Sequence, residues 1–165
     1  MNPIFELDFW QKRLDEARKI NLLSHSIGMG FNFPLIDKIH EQIIQKEIKK
    51  GEKVLDFGCG YGRSSHWFDR DDYVGIDLVP DFIQTAQTMF PEYRFLVHDL
   101  RKPFPFKRKE FDWGIGISMK EMIRRDAGQE EWEKIVKNLK KVCKKLLILE
   151  YGNSREEEIK KYEVL

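Results

Sequence analysis

The 165-residue chain predicts an α/β fold, a doubly wound parallel sheet of about five strands in the order 3-2-1-4-5 with a helical segment ahead of it. Three observations carry this. Short apolar runs with little polar alternation recur five times, as strands covered on both faces require. Segments with apolar residues at helical spacing fall between most of them. A glycine-rich turn follows the first strand, where a crossover connection leaves the sheet.

Taken in order, residues 6–23 read as a helix because Leu7, Trp10, Leu14, Ala17 and Ile20 share one face. Ser24 to Pro34 reads as a loop carrying Gly28 and Gly30, so residues 1–34 form an N-terminal helical lid. From about Leu35 to Lys49, Ile36, Ile39, Ile43 and Ile44 place a stripe on a second helix, which Gly51 ends. Strands follow at 53–58, 73–77, 94–99, 111–118 and 145–151, built on Val54/Leu55, Val74/Ile76, Phe95/Leu96/Val97, Ile115/Ile117 and Leu146 to Leu149. Helices are expected near 62–69, 80–90 and 127–144; the last carries Trp132, Ile135, Val136, Leu139 and Val142. Pro103 and Pro105 argue against a helix at 100–110. The chain therefore reads as a single domain over 1–165, with lid and loop at 1–34, a ligand-binding core at 35–152 and a short tail at 153–165. Its topological switch lies at the end of the first strand, where such sheets bind ligands.

Composition narrows the function. Basic and acidic residues number 29 and 28, leaving a net charge of +1 and no global field to draw nucleic acid or an anionic membrane. The apolar runs are too short for a membrane-spanning helix. The opening residues do not read as a secretory signal, and Cys59 and Cys143 stand far apart without metal-ligand spacing. A reduced, cytoplasmic protein without a zinc site is expected.

The site-bearing segment is Asp56-Phe57-Gly58-Cys59-Gly60-Tyr61-Gly62, a strand-end acid followed by glycines at every second position. A second strand end, Asp77, comes fifteen residues after Gly62. Two acids so placed suit a nucleoside held by its ribose hydroxyls. A dinucleotide turn needs Gly-x-Gly-x-x-Gly; this chain has Gly58-x-Gly60-x-Gly62, with an acid beside it that repels pyrophosphate and suits a cationic amino group.

These residues, with Val74-Gly75-Ile76-Asp77-Leu78, His98-Asp99-Leu100 and Phe111-Asp112, resemble the class I S-adenosylmethionine-dependent methyltransferases over roughly residues 35–152. The resemblance implies a Rossmann-like fold, with S-adenosyl-L-methionine as cofactor and S-adenosyl-L-homocysteine as product. It implies that Gly58, Cys59, Gly60 and Gly62 line the methionine portion and that Asp56 holds the amino end directly or through water. Asp77 would accept both ribose hydroxyls. Leu78 would pack on adenine, Asp99 would accept from its exocyclic amine, and the Leu100 N–H would donate to a ring nitrogen. Ser118 would close the cofactor site from the fourth strand.

The acceptor is less defined. Segments expected around the methyl group are the lid (His25, Phe31, Phe33), the end of strand four (Ser118, Met119, Glu121) and the end of strand five (Glu150, Tyr151). His25, Ser118 and Glu150 are the candidate catalytic residues. Trp10 and Trp132 read as core. Arg101, Lys102, Lys107, Arg108 and Lys109, with Phe104 and Phe106 between them, mimic a nucleic-acid surface. Their connection runs to the opposite end of the sheet, taking Lys107 to Lys109 far from the methyl group, and reads as a solvated turn. Family members commonly add a C-terminal β-hairpin; the short tail is expected to lack it, so the strand-five edge is exposed, covered by the tail, or paired with a partner subunit or second copy. A small-molecule acceptor is favoured, with nucleic acid left open. The alternatives are a non-catalytic cofactor-binding subunit that regulates a partner and, further off, a nicotinamide-dependent oxidoreductase.

Overall fold

The computed structural model describes residues 7–19, 33–150 and 162–165. The elements are α1 (Leu7–Lys19), α2 (Phe33–Glu47), β1 (Val54–Phe57), β2 (Tyr73–Asp77), α3 (Pro80–Met89), β3 (Arg94–Val97), β4 (Phe111–Ile117), α4 (Lys120–Ala127), α5 (Gln129–Val142), β5 (Cys143–Leu149) and β6 (Tyr162–Val164). They build one six-stranded sheet in the order β3-β2-β1-β4-β5-β6. The first five strands are parallel in the order the sequence predicts, and β6 runs antiparallel to β5.

Helices cover both faces. On one, Ile123 of α4 and Trp132, Ile135 and Leu139 of α5 pack against Leu55, Phe57, Leu146 and Ile148. On the other, Ile39, Ile43 and Ile44 of α2 and Ile83 and Ala86 of α3 pack against Val54, Tyr73, Ile115 and Leu147. Successive strand residues such as Val54 and Leu55 thus enter opposite cores, which is why the strands read as unbroken apolar runs. Trp132 is buried in the first core, and Trp10 of α1 meets Phe82 edge-on at 6.2 Å, so both tryptophans are packing residues.

The structure departs from the sequence reading in three places. The helix expected at 62–69 is replaced by two single 3-10 turns, Ser65–Trp67 and Arg70–Asp72. Gly62 sits at a φ of +80°, and the Ser64 hydroxyl is engaged by Asp56, so no helical stripe forms. A helix not expected, α4, follows strand four; Gly128, at a φ of +88°, separates it from α5. Its one fully buried residue, Ile123, gives too little periodicity to reveal it. Strand five starts at Cys143 rather than Lys145, because Lys144 reaches Asp112 at 2.6 Å and Lys145 lies 4.8 Å over the Trp113 ring, both leaving the backbone free to pair. The absence of a helix between β3 and β4 agrees with the two prolines.

The strand-five edge is covered by the chain's own tail. Leu147, Ile148 and Leu149 stand opposite Val164, Glu163 and Tyr162, and Leu146 and Leu165 exchange backbone hydrogen bonds at 3.0 and 2.9 Å. Among the described residues a single antiparallel strand thus occupies the place of the family's hairpin. No helix among them is long and apolar enough to cross a membrane.

Candidate functional site

The carboxyl ends of β1, β2, β3, β4 and β5 point the same way, as a parallel sheet requires, and Asp56, Gly58, Asp77, Asp99, Ser118 and Glu150 fall at or just after those ends. The turn after β1 is pinned to β2: the N–H groups of Gly58 and Cys59 donate to the Ile76 carbonyl at 2.8 and 3.0 Å. Gly58, Gly60 and Gly62 all take positive φ, at +77°, +55° and +80°. They differ in what surrounds them. A Cβ on Gly58 would lie 2.3 Å from the Met119 sulfur, and one on Gly62 would lie 2.6 Å from the Phe95 ring. Among the described residues, a Cβ on Gly60 would meet nothing within 4 Å. Two glycines therefore permit packing, while the third borders open space.

Asp77 ties this turn to the helix that follows β2. Its Oδ2 accepts the Gly60 N–H and its Oδ1 the Val79 N–H, each at 2.9 Å. A carboxylate has about four acceptor positions, so both oxygens retain capacity for further donors. Burial pushes its carboxyl up to about 6, against the opposing hydrogen bonds from Val79, Gly60 and Leu78.

Asp56, expected to hold the amino end directly or through water, is buried at the end of β1. It is 2% exposed, and its Oδ2 accepts hydrogen bonds from the Ser64 and Tyr73 hydroxyls, the latter at 2.7 Å. Burial raises it to about 6, and the charge of Asp77 adds to that rise while the two hydroxyls oppose it. Its anchoring contacts are thus within the protein, joining β1, the turn and β2. Cys59 is likewise buried, with its sulfur where a Cβ on Gly75 would come within 2.9 Å. Burial, with the charges of Asp56 and Asp77, drives its thiol well above the ordinary range, so it is a packing residue and no nucleophile.

Asp99 is held within the protein as well. Arg101 grips it with Nε at 2.8 Å from Oδ1 and Nη2 at 2.7 Å from Oδ2, and its backbone N–H adds a third bond at 2.9 Å. Burial pushes this carboxyl up, but the Arg101 bonds and charge outweigh it and hold it below its usual range. The acceptor capacity expected for adenine is largely taken. Beside it, the His98 N–H donates to the Asp77 carbonyl at 2.7 Å, and its ring lies 4.9 Å from that of Phe104. The Leu100 side chain enters the core, and Leu78 is half-buried at the end of β2.

At the other half of the sheet, Ser118 adopts a φ of +60°, unusual for a residue with a side chain. Its N–H donates to the Leu149 carbonyl at 2.7 Å, and its hydroxyl oxygen is buried without a hydrogen-bond partner among the described residues. Among the described residues Glu150 makes no ion pair with a base. Its Oε1 accepts the N–H groups of Lys120 and Glu121, at 2.8 and 3.3 Å, at the start of α4. Burial pushes this carboxyl up to about 7 despite those two bonds. Met119 links the halves, since it sits against Gly58.

His25, Phe31 and Tyr151 lie outside the described residues, and Phe33 opens α2. Glu121 is exposed and pairs with Arg124 at 2.8 Å. Lys109 lies at the far end of the sheet, donating to the carbonyls of Lys140 and Cys143 at 2.6 and 2.7 Å, where it complements the α5 C-terminus. The roles of Ser64, Tyr73 and Arg101 as partners of Asp56 and Asp99 escaped the sequence reading. Only the i, i+2 spacing of Asp99 and Arg101 across a turn offered a signal.

An open glycine cradle, a strand-end carboxylate with spare acceptor capacity and a six-strand doubly wound sheet define a Rossmann-like nucleoside-binding domain. Comparison with known proteins makes this specific. The methyltransferase domain family matches residues 54–145, more than half of the chain, and the chain belongs to that family. Its cofactor is S-adenosylmethionine, which sets the nicotinamide reading aside. An uncharacterized protein of Methanocaldococcus jannaschii is 33% identical over 79 residues, covering 48% of this chain and 30% of that one. A Pyrococcus horikoshii protein of solved structure is 25% identical with a TM-score of 0.65, over 82% of this chain and 65% of its own. A Methanosarcina mazei S-adenosylmethionine-dependent methyltransferase is 22% identical with a TM-score of 0.57, over 69% and 59%. A Haloferax volcanii putative methyltransferase, solved with a methyltransferase activator, is 18% identical with a TM-score of 0.60, over 87% and 59%. The chain thus spans about a third of the curated relative's length and under two thirds of these solved chains.

Proposed function

We propose that the chain is an S-adenosylmethionine-dependent methyltransferase that holds its cofactor over the ends of β1, β2 and β3 and receives a small-molecule acceptor at the ends of β4 and β5. The observation that carries this reading is the pairing of open space at Gly60 with the Asp77 carboxylate that grips the Gly60 N–H. The cradle suits the methionine portion, and the two free acceptor positions of Asp77 suit the ribose hydroxyls. Leu78 borders the adenine, with the backbone at Asp99 and Leu100 beside it. Asp56 acts from behind, fixing the turn and adding negative charge beneath a cationic ligand. Asp99 shapes the adenine side through Arg101.

The cofactor, when bound, supplies an activated methyl group on a sulfonium. The protein's part is to hold an acceptor in line with that group and keep water out, since positioning supplies much of such a rate. Ser118 and Met119 border the place where the two ligands would meet. Titration calorimetry with S-adenosylhomocysteine tests the cofactor half, with binding expected for the wild type and loss expected in Asp77→Ala. Transfer of a labelled methyl group tests the enzyme half. Binding without transfer to any acceptor would favour a regulatory subunit that acts through a partner. No binding at all would sink both.

A further inference from the structure

The end of β5 and the start of α4 form a corner whose chemistry bears on the acceptor, provided that the methyl-transfer reading of the site holds. Glu150 is held there by the N–H groups of Lys120 and Glu121, while Ser118, one strand over, has a buried hydroxyl oxygen without a hydrogen-bond partner among the described residues. The Ser118 N–H bond to Leu149 keeps the two residues on neighbouring strand ends, and Met119 between Ser118 and α4 reaches the glycine cradle at Gly58. The corner therefore adjoins the methyl-transfer point rather than the far surface.

Among the described residues its charge is one-sided. The three cations of α4 are spoken for, Lys120 by Glu163 of β6, Arg124 by Glu121 and Arg125 by Asp126. A phosphate or carboxylate acceptor would face Glu150 with no unpaired cation of α4 to receive it. A cationic or neutral hydrogen-bond donor would find a fixed carboxylate.

We propose that the methyl acceptor is a primary or secondary amine, received as its ammonium by Glu150, which serves as the general base. One N–H bond of the ammonium breaks and its proton passes to the Glu150 carboxylate. The nitrogen lone pair then forms the N–C bond to the methyl group as the C–S electron pair returns to sulfur. The methylated ammonium leaves with the positive charge, and Glu150 gives its proton to solvent. The burial that raises Glu150 to about 7 supports this role, since a base works best when its pKa lies close to the operating pH. An ammonium of pKa about 10 is within reach of such a base, whereas an aliphatic hydroxyl is far weaker as an acid. A phenol matches in acidity, but it meets the Glu150 carboxylate as a neutral donor, whereas an ammonium brings a full positive charge to it. The charged groups facing Glu150 are Lys120 and Glu121 of α4, with Glu163 of β6 on Lys120.

The test uses labelled S-adenosylmethionine and the full chain, after calorimetry with S-adenosylhomocysteine has established cofactor binding. Phenethylamine and butylamine are offered beside their alcohol, thiol, carboxylate and phosphate-ester counterparts. The expected result is label on the amine nitrogen, with a rate that rises with pH through about 7. Glu150→Gln keeps an oxygen for the α4 N–H groups, so cofactor affinity and melting temperature should hold. Its kcat should fall about a hundredfold, with loss of the pH limb. Label on oxygen or sulfur in preference, no label on either amine while the cofactor still binds, or an unchanged pH limb in Glu150→Gln would overturn the proposal. In the last case Glu150 is a helix cap only. Failure of cofactor binding would instead overturn the reading beneath it.

Discussion

Replacing Asp77 with Asn separates cofactor recognition from folding. The carboxylate takes one backbone N–H on each oxygen, at 2.9 Å from Gly60 and from Val79, and offers its remaining acceptor positions to the ribose. An amide has one carbonyl oxygen, so its NH2 group must face one of those N–H donors and can accept no hydroxyl on that side. Hydrogen bonds to a charged group contribute about 1.5–3 kcal/mol each, and the amide oxygen recovers part of one. A net loss of about 2–3 kcal/mol follows, or roughly 30- to 150-fold in the dissociation constant for S-adenosylhomocysteine. Stability should change less. The variant loses backbone bonds worth about 1–2 kcal/mol, yet also loses a carboxylate whose ionisation is costly in this buried position. The pH dependence gives an independent check. With Asp77 raised to about 6, only about a tenth of it is ionised at pH 5, so wild-type affinity should be about tenfold weaker at pH 5 than at pH 8. The free protein behaves in the opposite sense. Asp56 and Asp77 keep protons that the unfolded chain has released, so stability without cofactor falls as pH rises from about 4 to about 6. Calorimetry and thermal melting across this range read both effects. A change in affinity below about threefold in Asp77→Asn, or equal wild-type affinity at pH 5 and pH 8, would refute the reasoning.

Three further outcomes are expected. Gly60→Ala should cost only about 1 kcal/mol for its positive φ yet abolish measurable cofactor binding, because its methyl group enters open space; Gly62→Ala should mainly lower the melting temperature, because its methyl group meets the Phe95 ring. Asp99→Asn should weaken cofactor binding less than about threefold while lowering stability by about 1 kcal/mol through the loss of the Arg101 grip, so a large affinity loss in calorimetry would return Asp99 to direct adenine contact. Deleting residues 162–165 should leave the Leu147 and Leu149 backbone without its antiparallel partner, seen as faster amide exchange along β5 and as concentration-dependent self-association, and unchanged exchange would mean that β6 adds little.

What the sequence could reveal divides along a physical line. Strand order and glycine spacing were legible because they are local or follow from handed connections: Val54, Val74 and Ile115 sit in unbroken apolar runs, and only one crossover hand is allowed. The Gly-x-Gly-x-Gly turn announced a close approach, though not which glycine faced solvent. That distinction depends on Met119 and Phe95, which arrive from distant strand ends. Asp56 and Asp99 were legible as strand-end acids, whereas the internal bonds that occupy them were not. Their partners, Tyr73 seventeen residues on and Arg101 in a turn that read as solvated, are set by three-dimensional neighbourhood. The helix α4 escaped for a related reason. It buries one residue fully and is fixed by the Glu150 carboxylate thirty residues downstream, so its start signal is not in its own sequence.

The contrast among these carboxylates is informative about function. Asp99 is neutralised by an arginine, whereas among the described residues the hydrogen bonds to Asp77 and Glu150 come from backbone N–H groups, which carry no compensating unit charge. A fold seeking only stability would pair or replace such groups, since an ionised carboxylate taken from water is costly. The sheet instead places them one on each side of the central glycine turn, beneath the place where a positively charged methyl donor and its acceptor would meet. Their charge costs stability in the free protein and would become favourable once a cation is bound, which is the balance expected of groups positioned for ligands.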